Sequence, residues 1–188
     1  MTTTYTPGLT PEEYLVRERA AAYKSEYVGG EVRAMTGASR KHNLVTLNVA
    51  SSLTGQLRGR PCETYVSDMR VKVSRTGSYL YPDVVVACGG PELEDEQADT
   101  LLNPTVVFEV LSPSTADYDH NRKWELYRRL PSLQDYLLVS QDEPRVERYT
   151  RRPEGLWLFS ETSGLDGVLR LDSIGCTLAL RDVYERVL

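Results

Sequence analysis

The spacing of apolar residues changes period several times along the chain, and each change marks an element. Thr10-Pro11-Glu12-Glu13 has the form of a helix start: a capping hydroxyl, a proline at the first helical position, then acids in the first turn. A helix is expected from there to about Ala22. Two short alternating runs, 25–28 and 31–35, flank Gly29-Gly30, which is a hairpin signal. Between Arg40 and Leu57 the apolar positions Leu44, Val45, Leu47, Val49, Ala50, Leu53 and Leu57 are mostly three or four apart, as in an amphipathic helix. Gly59-Arg60-Pro61 ends it.

From there the period is mostly that of strands. Residues 64–66 and 69–73 alternate, whereas Asp83-Val84-Val85-Val86-Ala87-Cys88 is a continuous apolar run, typical of a strand buried on both faces, and Asn103-Pro104 opens a second run, the strand 105–111. Ser112-Pro113-Ser114-Thr115 breaks the second run, and residues 117–130 read as a helix with Trp124, Tyr127 and Leu130 on its apolar face. Residues 136–140 form another buried strand, 145–180 strands and turns, and 183–188 a short helical piece. The whole predicts an α/β fold of the mixed α+β kind, a mixed sheet with helices packed on it.

Composition narrows the class. At 188 residues the chain is about one domain's worth, so residues 1–188 are expected to form a single domain. No apolar run approaches the roughly 20 residues needed to cross a bilayer. The first residues, Met1-Thr2-Thr3-Thr4-Tyr5, have no basic and no apolar signal region, so no membrane association and a cytoplasmic location are expected. Three cysteines, Cys62, Cys88 and Cys176, are widely spaced and odd in number. They are expected to be small buried thiols rather than a disulfide framework.

The net charge of −5 does not advertise a nucleic-acid binder. Its distribution does more. Between Arg33 and Arg75 stand eight basic residues (Arg33, Arg40, Lys41, Arg58, Arg60, Arg70, Lys72, Arg75) against Glu63 and Asp68, a local +6 that could meet phosphates. Residues 92–99 form an acidic loop expected to face away from them.

Glu109 is the anomaly in the pattern. Every neighbour in Val106-Val107-Phe108-Glu109-Val110-Leu111 is apolar, and an unpaired carboxylate costs several kcal/mol, of order, to bury. Asp83 repeats the anomaly just before Val84-Val85-Val86. If the two strands are neighbours, the carboxylates lie together and need something positive between them. A hard cation such as Mg²⁺ takes such oxygens together with water and phosphate oxygens; an ion pair with a buried Arg or Lys is the other explanation. Lys123, on the following helix, could return over the strand ends, with Lys72 as a competitor. His42, Glu26 and Asp68 are second-tier candidates.

These residues carry a resemblance. Glu26-Tyr27-Val28-Gly29-Gly30-Glu31-Val32, His42, Asp68, Tyr81-Pro82-Asp83-Val84-Val85-Val86, Phe108-Glu109-Val110-Leu111-Ser112-Pro113-Ser114-Thr115, the 119–127 helix with Lys123, and Asp135-Tyr136-Leu137-Leu138-Val139 together resemble the Uma2 family of the PD-(D/E)xK nuclease superfamily. The resemblance implies a restriction-endonuclease-like core, a central mixed β-sheet flanked by helices with additional strands. It implies Mg²⁺- (or Mn²⁺-) dependent endonuclease hydrolysis of phosphodiester bonds, in DNA, with Asp83 and Glu109 holding the metal. The superfamily lysine usually sits two residues after the acid; here that residue is Leu111, and the family pattern moves the lysine to Lys123. Glu26 and His42 resemble additional site-lining positions. A homodimer is suggested by analogy with other short nucleases. Two readings stay open at this level: a metal-dependent nuclease, and a non-catalytic DNA- or protein-binding module on the same fold. A serine hydrolase built on Ser112 lacks a G-x-S-x-G elbow.

Overall fold

The computed structural model describes residues 3–5, 8–73 and 77–188. Met1, Thr2 and Arg75, which entered the sequence reading, lie outside the described residues. In chain order come β1 (Thr3–Tyr5), α1 (Pro11–Ala20), β2 (Ser25–Val28), β3 (Glu31–Ala34) and α2 (Arg40–Leu57). Strands β4 (Cys62–Val66), β5 (Arg70–Val73), β6 (Ser78–Leu80), β7 (Val84–Cys88), β8 (Thr100–Leu101) and β9 (Val106–Leu111) follow. A helical passage is built from α3 (Ala116–Tyr118), a π-helical turn (Asp119–Lys123) and α4 (Trp124–Tyr127). After it stand β10 (Asp135–Ser140), β11 (Arg145–Arg151), β12 (Trp157–Ser163), β13 (Val168–Leu171), β14 (Cys176–Ala179) and α5 (Leu180–Val183).

Local chemistry places the first elements. The Thr10 hydroxyl accepts the Glu13 N–H at 3.2 Å and Glu13 Oε2 accepts the Thr10 N–H at 3.0 Å, a closed capping box at the start of α1. Gly29 and Gly30 take φ of +59° and +92°, the left-handed pair that a two-residue hairpin turn demands. That turn sets the register of β2 on β3 and puts Glu26 directly opposite Arg33. The last helical piece lies at Leu180–Val183 instead of 183–188, where the buried Leu180 and Val183 anchor it.

The central sheet runs β12-β11-β10-β9-β7-β4, with β9 and β10 parallel and the other neighbours antiparallel. A second sheet runs β1-β3-β2-β6-β5-β8. Strand alternation sorts the central sheet into two cores. Val84, Val86, Phe108 and Val110 pack on Val45, Val49 and Leu53 of α2. Val85, Ala87, Val107 and Leu138 pack on Val71 and Leu80 of the second sheet and on Leu126 and Tyr127 of α4. Burying one such side chain contributes roughly 1.5–3 kcal/mol. The two faces therefore outweigh one buried ionic cluster, at several kcal/mol per ion, of order. Glu109 has the parity of Val107, and Asp83 that of Val85. Glu109 therefore belongs to the face that meets the second sheet and the helical passage, while Asp83, just before β7, reaches His42 of α2.

The cysteine expectation is corrected. Cys62 and Cys88 are direct partners across β4 and β7, with Cα atoms 4.0 Å apart, and form a disulfide; Cys176 is free and buried. Their separation of 26 residues hid the pairing, which exists only through the sheet register. Chain-entropy arguments give a closed loop of this length about 3–4 kcal/mol. Urea denaturation with and without a phosphine reductant is expected to show a loss of that size. An unchanged midpoint would mean that the strands hold the two thiols equally well unlinked.

Candidate functional site

Strand parity, the hairpin register and the π-helical turn converge on one cleft of about 570 Å³ between the two sheets and the helical passage. Glu109 comes from β9 and is 2% exposed; Glu26 comes from β2 and is 3% exposed. Asp119 and Lys123 come from the π-helical turn and are both buried. The wide turn keeps them stacked at i, i+4, and the Asp119 carbonyl accepts the Tyr136 hydroxyl at 2.8 Å.

Lys123 is the hub. Its ammonium lies 3.0 Å from Glu26 Oε1, 3.0 Å from Glu109 Oε1 and 3.5 Å from Asp119 Oδ1. Burial alone would lower its pKa, but the Glu109, Glu26 and Asp119 carboxylates outweigh that and hold it well above the usual lysine value. Burial pushes the Glu109 carboxyl well up, and Asp119, Asp83 and Glu26 push it further, against Lys123. Burial likewise raises Asp119. The Glu26 carboxylate also accepts the Tyr81 N–H at 3.1 Å, which fixes its direction.

Asp83 sits at the solvent end of this cluster. Its Oδ2 accepts the Val110 N–H at 2.7 Å, next to Glu109, and lies 3.2 Å from His42 Nε2. Burial works against a charged His42, but the Asp83 hydrogen bond wins and its pKa is raised. His42 reaches this point because the Ser39 side chain caps α2 by accepting the His42 N–H at 3.1 Å.

Of the sequence candidates, Asp83, Glu109, Lys123, Glu26 and His42 all line the cleft. Asp68 does not. It follows Ser67, whose φ is +46°, and its side chain turns out to Lys24 at 2.8 Å with 87% exposure. Lys72 also points elsewhere, bonded to Glu94, which the Tyr79 hydroxyl holds as well. Ser112 bonds to Ser114 and Thr115, and neither imidazole hydrogen-bonds to it: His42 faces Asp83 and His120 faces Glu147. Sequence reasoning missed Asp119. The signal was there in the Asp119-x-x-x-Lys123 spacing, which places an acid on the lysine's own helix face.

With all four carboxylates ionised, one lysine leaves the cluster strongly negative. The donor set fits a hard divalent cation. Asp83 Oδ1 makes no hydrogen bond to a described residue, and the buried Asp119 Oδ1 has no hydrogen-bond partner. Among the described residues no three His, Cys, Asp or Glu side chains are spaced to ligate an ion by themselves. Asp83 and Glu109 are the oxygen donors that could hold such an ion together with water and phosphate oxygens.

The basic segment is not one surface. Arg40 reaches a backbone carbonyl of Arg186, Lys41 pairs with Asp142, Arg60 bonds to the Gly175 carbonyl and Arg70 pairs with Asp99. The acidic loop is absorbed the same way: Arg19 lies 2.8 Å from Asp95 and 2.7 Å from Asp99. Of the segment's described lysines and arginines, Arg33 lines the cleft.

The chain is 42% identical over 156 residues to "Uncharacterized protein sll1609" of Synechocystis sp. (strain ATCC 27184 / PCC 6803 / Kazusa), covering 83% of this chain and 88% of that one. It is 38% identical over 179 residues to "Uncharacterized protein slr1290" of the same organism, covering 95% and 93%. Its fold matches a crystal structure described as "a putative nuclease belonging to DUF820" from Anabaena variabilis ATCC 29413, with a TM-score of 0.77 at 18% identity over 95% of this chain and 99% of that one. Residues 11–181 match the Uma2 family, described as "Putative restriction endonuclease", and the chain therefore belongs to that family, on a mixed α+β nuclease fold.

Proposed function

We propose that the chain is a metal-dependent endonuclease that hydrolyses phosphodiester bonds in DNA. The observation that supports it best is the buried cluster of Glu26, Glu109 and Asp119 around Lys123, with Asp83 at its open end. A structural ion pair needs one carboxylate per lysine; three, plus a fourth at the mouth, are more than stability accounts for. Asp83 and Glu109 would hold Mg²⁺ or Mn²⁺. When bound, that cation supplies charge neutralisation at the phosphoryl oxygens and makes water more acidic.

The protein's own residues do the rest. Lys123 fixes Glu109 and keeps Glu26 and Asp119 in place. The Val110 N–H and His42 orient Asp83 from two sides. His42, at the cleft wall with its Nε2 3.2 Å from Asp83, is placed to hold that carboxylate toward the cleft. No nucleophilic serine is needed. One cleft per chain cuts one strand, so a homodimer would be needed to cut both strands together.

The test is supercoiled plasmid incubated with wild type and Glu109→Gln, with Mg²⁺, with Mn²⁺ and with chelator. Nicked circles in the metal lanes of the wild type, absent with chelator and in the variant, are the expected result. DNA binding without nicking in any lane would move the assignment to a binding module on this fold.

A further inference from the structure

The cluster leaves a gap in how the cleft would receive a phosphodiester. Lys123 donates to Glu109 at 3.0 Å and has Glu26 at 3.0 Å and Asp119 at 3.5 Å, so its charge is shared among three carboxylates. Lys24, also at the cleft, donates to the Ser67 carbonyl and to Asp68. The anionic substrate therefore meets a wall of carboxylates with its nearest ammonium groups already occupied.

Arg33 is different. Its guanidinium makes no ion pair among the described residues, and its Nε is buried without a hydrogen-bond partner. The guanidinium carbon lies 3.8 Å from the centroid of the Tyr118 ring. Stacking of that kind holds the plane of the fork, and with Nε buried the two Nη groups carry its remaining donors. The same ring has Lys123 Nζ 6.0 Å from its centroid, so one aromatic side chain neighbours both Arg33 and the carboxylate hub. The hairpin register fixes the rest: Arg33 is the direct partner of Glu26, on the same face of β2–β3.

We propose that Arg33, laid on Tyr118, is the subsite that takes a non-bridging phosphate oxygen of the substrate strand. The proposal rests on the nucleic-acid reading for its natural ligand, but its chemistry is that of any phosphate oxyanion. A planar fork that lines the cleft, with its two Nη groups as donors, is suited to two parallel N–H···O bonds. Arg33 acts here in binding and positioning; it carries no proton in the reaction.

The experiment uses the full chain with Arg33→Gln and Arg33→Lys. Inorganic phosphate is titrated without metal while the Arg33 Nε–Hε resonance is followed. A labelled oligodeoxynucleotide is then titrated in Ca²⁺ at several salt concentrations, and plasmid nicking is measured in Mg²⁺. Phosphate should move the wild-type resonance. Arg33→Gln should weaken oligonucleotide binding about tenfold, the scale of one charge-assisted contact. It should also lower the slope of log affinity against log salt by about one and raise KM more than it lowers kcat. Arg33→Lys should restore the salt slope but only part of the affinity, since an ammonium lacks the fork. An unmoved resonance, or a wild-type salt slope in a folded Arg33→Gln, overturns the subsite. Phosphate binding at Arg33 in a wild type that neither binds nor nicks DNA overturns the nuclease reading and upholds the subsite.

Discussion

Lys123→Met is expected to cost about 3–5 kcal/mol of folding stability in metal-free buffer, the usual penalty for removing one partner of a buried ion pair. Methionine keeps most of the stem volume, so the loss is electrostatic rather than a cavity. Without the ammonium, Glu26, Glu109 and Asp119 are left together at 3%, 2% and 2% exposure. Their escape is protonation, and burial already pushes Glu109 that way. The sign follows. Carboxyl groups whose folded pKa is raised above the unfolded value bind more protons when folded, so their contribution is present at low pH and is lost as pH rises through the folded value. The variant's deficit should therefore be larger at pH 8 than at pH 5 in urea denaturation. Millimolar Mg²⁺ should recover part of it by replacing the missing positive charge. A deficit under about 1 kcal/mol at both pH values, the level of an exposed ion pair, would show that Lys123 does not neutralise the cluster.

Asp83→Asn separates function from folding. It is expected to abolish Mg²⁺ binding in isothermal titration and to lower nicking by about 10³-fold or more, since it removes one of two carboxylates that would hold the cation. Asparagine keeps an oxygen to accept the Val110 N–H, now bonded by Asp83 at 2.7 Å. It also removes one of the negative charges that raise Glu109. Stability at pH 8 should stay within about 1 kcal/mol of wild type, the scale of the partly exposed pair that Asp83 makes with His42. Loss of folding together with activity would make Asp83 a structural residue. Intact nicking would remove it from the metal site.

Several parts of the molecule were legible along the chain because they depend on short-range chemistry. Thr10 and Glu13 lie three residues apart and close a capping box with each other. Gly29-Gly30 forms the hairpin turn because its two φ angles are positive. Glu109 was conspicuous because a charge inside an apolar strand needs a partner. The partner, Lys123, is only 14 residues away, across one turn and a helix.

What the tertiary structure decided depends on register and on which face each strand turns. Cys62 and Cys88 form a disulfide because β4 and β7 pair with one alignment; a slip of one residue would point them to opposite sides of the sheet. Asp68 drops out of the cleft because its turn sends the carboxylate to solvent. Of the described basic residues between positions 33 and 72, Arg40, Lys41, Arg60, Arg70 and Lys72 find protein partners, the Arg58 side chain bonds to no described residue, and Arg33 stacks on Tyr118 at the cleft. Charge counting sees only their sum. The sequence by itself determined the first helices, the hairpin, the buried strands and the two carboxylates that could not be buried alone, because periodicity and a misplaced charge are local properties. Which charges meet at Lys123, and that Arg33 comes to lie at the cleft, are pairwise matters of distance, settled only when the two sheets and the π-helical turn come together.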